Sequence, residues 1–243
     1  MSMYNNEFYE NRHKKTLYSA EKILSIVQKV IPEIKSAVDL GCGVGTWLSV
    51  LKERGASDIQ GIDGNWVNKD YLVIPSQSFI EHDLSKEIEL NKTYDLAISL
   101  EVAEHLPPHS AKGFVSQITK LSDFVLFSAA IPGQGGVGHV NAQWPSYWIS
   151  LFEKQGFVAL DFIRKRIWND ESIRFWYRQN IILFVKKQRT SDLKLSGQPV
   201  DAIPAELYLL SFGRVISPGI KQSIKALIGA VKRRIKHDLR IDS

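Results

Sequence analysis

One short stretch of the sequence places two carboxylates and an imidazole within a single helical turn. It reads SLEVAEHLPP, and its chemistry-bearing residues are Glu101, Glu104 and His105. If the chain bends helically there, the spacing Glu-x-x-Glu-His lets the three side chains converge. A second histidine, His139, lies in the glycine-rich segment IPGQGGVGHVNAQW. Oxygen and nitrogen ligands of this kind suit a divalent metal, and Glu104, His105 and His139 are also candidate catalytic groups, with either histidine as general base.

A glycine-rich turn forms the second candidate site. In VDLGCGVGTW, an apolar run ending in Asp39 is followed by Gly41, Gly43 and Gly45. The spacing is G-x-G-x-G, whereas dinucleotide-binding turns have G-x-G-x-x-G. The carboxylate of Asp39 would repel a pyrophosphate, but it suits a ligand that carries a positive ammonium group. The turn therefore predicts a small-molecule cofactor close to the backbone amides that begin the next helix.

Two further acids follow the next predicted strands. Asp63, which precedes Gly64, ends the second strand, where its carboxylate can accept hydrogen bonds from both hydroxyls of a ribose. Asp83 precedes Leu84 after the third strand and can accept a hydrogen bond from an adenine amino group. The acids predict a cofactor with a nucleoside part.

Hydrophobic periodicity predicts the elements that position these residues. Short apolar runs alternate with helical patterns, which indicates a mostly parallel sheet with helices on both faces. The predicted strands are 37–40, 58–63, 78–83, 94–100, 123–131, 157–163 and 181–187, and the predicted helices are 16–31, 46–55, 110–121 and 144–155.

These residues and elements resemble the class I S-adenosylmethionine-dependent methyltransferases over roughly residues 16–187. The resemblance implies an α/β Rossmann-like fold with a mostly parallel seven-stranded sheet, and S-adenosylmethionine as the cofactor. The cofactor-binding residues that we expect are Asp39, Gly41, Cys42, Gly43, Asp63, Gly64, Asp83, Leu84 and Glu101.

The Glu-x-x-Glu-His segment with its later histidine has a resemblance of its own. It is similar to the Hen-type small-RNA 2′-O-methyltransferases, in which such residues bind a divalent metal that chelates vicinal hydroxyls, and to ubiquinone-pathway catechol O-methyltransferases. This resemblance implies Mg²⁺, Mn²⁺ or another divalent metal, with the ligands Glu101, Glu104, His105 and His139. Many small-molecule methyltransferases carry a similar segment without a metal. There Glu101 would contact the cofactor and His105 would orient a loop or act as base, so both interpretations stay open.

An aromatic and basic segment at residues 166–180 has two interpretations. Aromatic faces with arginines suit sugars, bases or phosphates, but such residues also pack in cores. The residues concerned are Trp168, Arg174, Trp176, Tyr177 and Arg178.

Composition and charge restrict the class of protein. The 243 residues are 44% hydrophobic, include one cysteine and have no apolar run long enough to span a membrane, so we expect a cytoplasmic protein. The net charge is +5, but eight basic residues and one acid lie within 214–240. That segment carries +7 and the rest of the chain −2, which makes nucleic acid an unfavoured partner.

The chain divides into three predicted parts. Residues 1–187 form the methyltransferase domain, 188–217 a linker and 218–243 a basic amphipathic helical extension. Four roles stay open for the stripe at 218–240. It packs on the domain or on a second subunit in a homodimer, contacts an anionic membrane, binds nucleic acid or remains a disordered tail.

The sequence thus predicts a methyltransferase that modifies a hydroxyl group. The stretch from residue 100 to residue 148 also looks like uncharacterised bacterial methyltransferases of surface-polysaccharide and natural-product assembly. The expected acceptor is a small molecule or glycan, namely a sugar, sugar nucleotide or lipid-linked glycan. The alternatives are a metal-dependent RNA 2′-O-methyltransferase, a non-catalytic cofactor-binding module and, third, a dehydrogenase.

Overall fold

The computed structural model describes residues 6–31, 33–191 and 201–202, with side chains from residue 16 onward. Strands and helices alternate along these residues. The strands are β1 (Ser36–Leu40), β2 (Asp58–Asp63), β3 (Phe79–Glu81), β4 (Leu96–Leu100), β5 (Phe124–Ser128), β6 (Phe157–Leu160) and β7 (Ile182–Lys186). The helices are α1 (Asn6–Val27), α2 (Thr46–Glu53), α3 (Ala111–Leu121), α4 (Pro145–Lys154), α5 (Ile163–Ile167) and α6 (Phe175–Asn180). Short 3₁₀ turns lie at Lys69–Tyr71, Ser76–Ser78, Pro108–Ser110 and Lys187–Arg189.

The seven strands form one sheet in the order β3-β2-β1-β4-β5-β7-β6. The first five strands are parallel, and β7 runs antiparallel to both β5 and β6. The carboxyl ends of parallel strands meet at one edge of a sheet, where α/β folds bind ligands. Because β7 is antiparallel, its first residue, Ile182, pairs with Phe127 near the end of β5. The chain therefore enters β7 at the same edge at which β1, β2, β4 and β5 end.

Helices cover both faces of the sheet, as the sequence predicts. On one face α1, α2, α5 and α6 bury residues such as Ile23, Leu48 and Ile163 against the strands. On the other face α3 and α4 bury Phe114 and Phe152. Strand residues alternate between these two cores, so the sheet is apolar on both sides and rigid enough to fix the loops at its edge.

Several predicted boundaries differ from those of the structure. Helix α1 begins at Asn6 and ends at Val27, whereas the apolar pattern predicts 16–31. The last apolar residues, Val30 and Ile31, lie in a turn whose amides donate to the carbonyl of Val27. The strand predicted at 157–163 ends at Leu160, because Ile163 begins α5.

Helices α5 and α6 are absent from the predictions. The first is five residues long and the second six, which is too short to establish a helical period.

None of the helices within the described ranges is both long enough and apolar enough to cross a membrane. The predicted linker at 188–217 is described only at 188–191 and 201–202, where Asp201 accepts hydrogen bonds from the amide and hydroxyl of Ser146 at the start of α4. The predicted extension at 218–243 lies outside the described residues.

Candidate active site

The glycine turn lies between the end of β1 and the start of α2. Gly41, Gly43 and Gly45 all have positive φ angles, of 89°, 54° and 88°. A side chain at Gly41 would also collide with Val102, because its Cβ would lie 2.2 Å from Val102 Cγ2. The turn thus packs directly on the segment that follows β4, which links the two candidate sites.

Two buried carboxylates flank this turn. Asp63 accepts hydrogen bonds from the amides of Gly43 and Gly64, each at 2.7 Å, and so joins the turns after β1 and β2. Asp39 is 2% exposed, and burial together with the negative charge of Asp63 raises its pKa well above the ordinary value. Two acids held this close favour a ligand that brings positive charge to the turn.

Cys42 lies inside the same turn. Its thiol is buried and donates a weak hydrogen bond to the carbonyl of Gly43, with Sγ 3.4 Å from the oxygen. Burial, followed by the charges of Asp39 and Asp63, raises the pKa of this thiol. The side chain of Cys42 therefore packs as a small apolar group.

Asp83 and Leu84 follow β3 but point to different surroundings. Asp83 is exposed, and its Oδ1 accepts hydrogen bonds from the amide and hydroxyl of Ser85. These bonds, with nearby Lys86, lower the pKa of Asp83. Leu84 is buried in the core beneath α3. The carboxylate of Asp83 is ionised in this turn and can accept further hydrogen bonds from a ligand.

Glu101 follows β4 in a conformation that few residues adopt. It is the one non-glycine residue with positive φ within the described ranges, at 57°. Such backbone costs on the order of 1–3 kcal/mol and persists where surrounding contacts hold it. Its amide donates to the carbonyl of Ser128, and its carboxylate accepts hydrogen bonds from Gln134 Nε2 at 2.8 Å and Asn180 Nδ2 at 3.0 Å. Burial raises the pKa of Glu101, and the two amide donors oppose that shift.

Three of the four predicted metal ligands come together. Potential ligand atoms of Glu104, His105 and His139 all lie within 4.8 Å of one another. Glu104 Oε1 is 4.0 Å from His139 Nε2, and the two imidazole rings are 4.7 Å apart at an angle of 84°. Glu101 lies outside this cluster, so the structure brings together three of the four predicted ligands. The carboxylate of Glu101 is turned instead toward Gln134 and Asn180.

Glu104 carries the strongest sign that this cluster binds a cation. Its side chain is 0% exposed, and no side chain among the described residues hydrogen-bonds to its carboxylate, so only the backbone amides of Glu104 and Ala130 favour its charged form. Burial, followed by the charge of Glu101, raises its pKa to about 9. Burial and nearby His105 lower the pKa of His139, which keeps that imidazole neutral and able to bind a metal. The residues fit a divalent metal with two nitrogen ligands, one oxygen ligand and open positions for a substrate.

The structure adds site residues that no sequence motif indicates. Gln134, Gln179 and Asn180 form a buried amide network around the carboxylate of Glu101. The backbone carbonyl of Gln179 also accepts a hydrogen bond from Arg164, which is itself paired with Asp161. Only the type of residue hints at these roles, since amides spaced this far along the chain have no recognisable pattern.

The aromatic and basic segment at 166–180 serves mainly in packing. Tyr177 is buried with its ring 5.3 Å from that of Trp47, and Arg178 donates to the carbonyls of Trp168 and Ile173. Arg174 stacks over Trp176. For Tyr177 and Arg178 the structure favours the packing interpretation, because the ring of Tyr177 packs on Trp47 and Arg178 holds the loop before α6.

A glycine turn with flanking acids on such a sheet defines a cofactor-dependent enzyme, and comparison with known families specifies its class. A family model described as a methyltransferase domain matches residues 10–130, about half of the chain. The chain belongs to the class I S-adenosylmethionine-dependent methyltransferases. No curated protein matches it.

Several solved structures share the fold. The sugar N-methyltransferase KedS8 from a Streptoalloteichus species has a TM-score of 0.58 and 13% identity, covering 77% of this chain and 97% of that one. The methyltransferase domain of bacterial CtHen1-C has a TM-score of 0.51 and 21% identity, covering 69% and 97%. The magnesium protoporphyrin IX methyltransferase ChlM from Synechocystis, crystallised with S-adenosylhomocysteine, has a TM-score of 0.51 and 19% identity, covering 76% and 90%.

Proposed function

We propose that this enzyme transfers a methyl group to one hydroxyl of a vicinal pair on a sugar, sugar nucleotide or lipid-linked glycan. The proposal includes a divalent metal held by Glu104, His105 and His139. The observation that carries it is the fully buried carboxylate of Glu104, which has no side-chain hydrogen-bond donor among the described residues and lies close to two imidazoles. Burial makes the ionised form of Glu104 unfavourable, which is why its pKa is raised, and a bound cation would stabilise that ionised form.

The cofactor would bind over the glycine turn. Asp39, near the end of β1, would favour the cationic end of the donor. Asp63, the last residue of β2, would accept hydrogen bonds from the ribose, and Asp83, after β3, from the adenine. S-adenosylmethionine supplies a methyl group on a cationic sulfur, and transfer of that methyl to oxygen breaks the carbon–sulfur bond and leaves a neutral thioether. The reaction is an in-line displacement, so the enzyme must mainly align the two partners.

The cluster of Glu104, His105 and His139 would activate the acceptor. A divalent metal there would bind adjacent hydroxyls and lower the pKa of one of them. The lowered pKa of His139 leaves it neutral near pH 7, so it can bind the metal or accept the hydroxyl proton. His105 is exposed beside it and is the alternative base. The buried charge of Glu104 would balance that of the metal.

The charge of the chain supports a sugar over RNA as the acceptor. The part of the chain outside 214–240 carries a net charge of −2, whereas RNA affinity depends largely on neutralising phosphates. We place the reaction in the cytoplasm, in surface-polysaccharide or natural-product assembly. Contact with a membrane or a second subunit through 218–240 belongs to the same proposal.

Turnover on paired acceptors tests this function. Labelled S-adenosylmethionine would be supplied with Mn²⁺, a panel of sugar nucleotides and, for each active one, its analogue that keeps the methylated hydroxyl and lacks the adjacent one. We expect transfer to the diol, loss with the deoxy analogue, and loss of at least about a hundredfold in Glu104→Gln. Equal transfer to both members of a pair would contradict diol chelation.

The same assay judges the RNA alternative. A short RNA with a free 3′-terminal diol replaces the sugar nucleotide, and binding is measured over a range of salt concentrations. Efficient transfer to this RNA, with affinity that falls steeply as salt rises, would replace the sugar proposal. Weak binding at every salt concentration would exclude RNA.

A further inference from the structure

The segment from Glu101 to Glu104 holds both ends of the glycine-rich loop at residues 132–141. Near the start of the loop, Gln134 donates from its side chain to the carboxylate of Glu101. At the end of the loop, the amides of Val140 and Asn141 both donate to the backbone carbonyl of Glu104, at 2.9 Å each. Between these attachments the loop carries His139, and Val137 is 84% exposed.

Both oxygens of Glu101 are engaged in this attachment. Oε2 accepts from Gln134, and Oε1 accepts from Asn180. The same Asn180 amide lies 2.9 Å from Gln134 Oε1, so the three side chains form a closed set of hydrogen bonds. Hydrogen bonds to a charged acceptor in a buried site are stronger than neutral ones, which suits a carboxylate that anchors a loop.

A rigid support lies behind Asn180. The carbonyl of Gln179 accepts a hydrogen bond from Arg164, whose guanidinium is buried and paired with Asp161. Two residues after Asn180, Ile182 pairs with Phe127 of β5. The position of Glu101 is thereby fixed by the far end of the sheet as well as by β4.

We propose that Glu101, with Gln134 and Asn180, is a positioning residue that holds the loop bearing His139 against Glu104 and His105, and that it is not a metal ligand. The hydrogen bonds alone carry the inference that Glu101 positions the loop. The inference that Glu101 is not a metal ligand rests on the proposed function. The two acids of the Glu-x-x-Glu-His segment thereby have different roles, although the sequence predicts both of them as metal ligands.

Exchanging the side chains at positions 101 and 134 distinguishes a hydrogen-bonding role of Glu101 from a role as metal ligand. Glu101→Gln alone places an amide against two amide donors and should release the loop. Glu101→Gln combined with Gln134→Glu moves the carboxylate to the loop and recreates the amide–carboxylate pair, with Asn180 still donating to both. A hydrogen-bonding role is rescued by this exchange, whereas a ligand role is not.

The test uses the full chain with S-adenosylhomocysteine and two measurements. Hydrogen–deuterium exchange follows the amides of the loop, and calorimetry follows binding of Mn²⁺ alone. We expect Glu101→Gln to speed exchange at Val140 and Asn141 and to weaken Mn²⁺ binding about tenfold or more, and the double variant to recover most of both. Val137→Ala is the matched control in the same loop and should change neither. Glu104→Gln should abolish Mn²⁺ binding.

Each contrary outcome has a distinct meaning. If Glu101→Gln abolishes Mn²⁺ binding as Glu104→Gln does, and the double variant fails to restore it, Glu101 is a ligand and the inference is wrong. If the wild-type enzyme binds no Mn²⁺, the proposed metal function fails. Loop exchange in the single and double variants then still decides whether Glu101 positions the loop, and unchanged exchange in Glu101→Gln would overturn that.

Discussion

Gly41 is the residue at which the two halves of the active site touch. Its φ of 89° disfavours any side chain, and a Cβ there would overlap Val102. We expect Gly41→Ala to destabilise the protein by more than the roughly 1–2 kcal/mol of left-handed backbone strain, because Val102 must also move. The midpoint of urea unfolding measures this.

Gly43 offers the matched control for that substitution. It also has a positive φ, but a Cβ there would meet nothing within 4 Å. Gly43→Ala should therefore cost only the strain. Equal losses of stability in the two variants would show that contact with Val102 is unimportant.

Cys42 should be unreactive toward thiol reagents in the folded enzyme. Its thiol is buried, and burial with two neighbouring carboxylates raises its pKa, so the reactive thiolate is scarce at ordinary pH. We expect a colorimetric thiol reagent to leave Cys42 unmodified in the native protein at about pH 8 and to modify it fully in denaturant. Rapid modification of the native protein would mean that the turn opens readily.

The sequence predicts some site residues better than others for a physical reason. Glu104 and His105 are adjacent, and His139 lies in a glycine-rich loop after the next strand, so strand order alone brings them to one edge. Glu101 meets Gln134 across 33 positions and Asn180 across 79, and buried amides have no spacing rule. Long-range packing determines that Glu101, and not Glu104, contacts the side-chain amides of Gln134 and Asn180.

At the scale of elements, α5 and α6 depend on one buried ion pair. Arg164 and Asp161 are 2% and 4% exposed, and Arg164 also donates to the carbonyl of Gln179 ahead of β7. Arg164→Leu leaves Asp161 as an uncompensated buried charge, so we expect a loss of about 3–5 kcal/mol in the free energy of unfolding. Urea denaturation followed by circular dichroism measures it.

The double variant Asp161→Asn with Arg164→Leu is the control for that loss. It removes both charges, so it should be less destabilising than Arg164→Leu alone. A double variant that is as unstable as the single one would indicate that the bond to Gln179, not the charge of Asp161, accounts for the loss.

The elements themselves are predicted from sequence to different degrees. Every strand and the helices α1 to α4 follow from apolar periodicity, with boundary errors of a few residues except at the start of α1, which lies ten residues before the predicted one. The run FVALDFI has the apolar content of one long strand, but it divides at Asp161 because the pair with Arg164 turns the chain into α5. Apolar periodicity indicates which face of a strand or helix is buried. It does not indicate that a buried charged residue such as Asp161 lies where a strand ends.

For the whole molecule, the raised pKa of Glu104 makes stability depend on pH. Without a metal, the folded protein keeps a proton on Glu104 up to a pKa of about 9, whereas the unfolded chain releases it near the ordinary value of 4.5. The folded state binds more protons between these values, so the free energy of unfolding falls as pH rises through that window. We expect the melting temperature of the metal-free enzyme to fall from about pH 6 to about pH 9.

Two measurements check the origin of that slope. Glu104→Gln has no proton to lose at this position and should show a shallower slope than the wild type. Saturating Mn²⁺ should flatten the slope in the wild type, because a bound cation keeps Glu104 ionised. An identical slope in the wild type and in Glu104→Gln would contradict the pKa of Glu104.

The antiparallel direction of β7 brings residues from the last part of the described chain to the edge of the sheet where the parallel strands end. The methyltransferase-domain match ends at residue 130, after β5, and β1 to β4 carry the predicted donor-binding residues, whereas Gln134, His139 and Asn180 all come later in the chain. Because β7 begins at the edge where β5 ends, this later portion reaches the reaction centre from outside the donor-binding half. Substitutions after residue 130 can therefore alter the loop that bears His139 and its support at Asn180 without changing the glycine turn, Asp39 or Asp63.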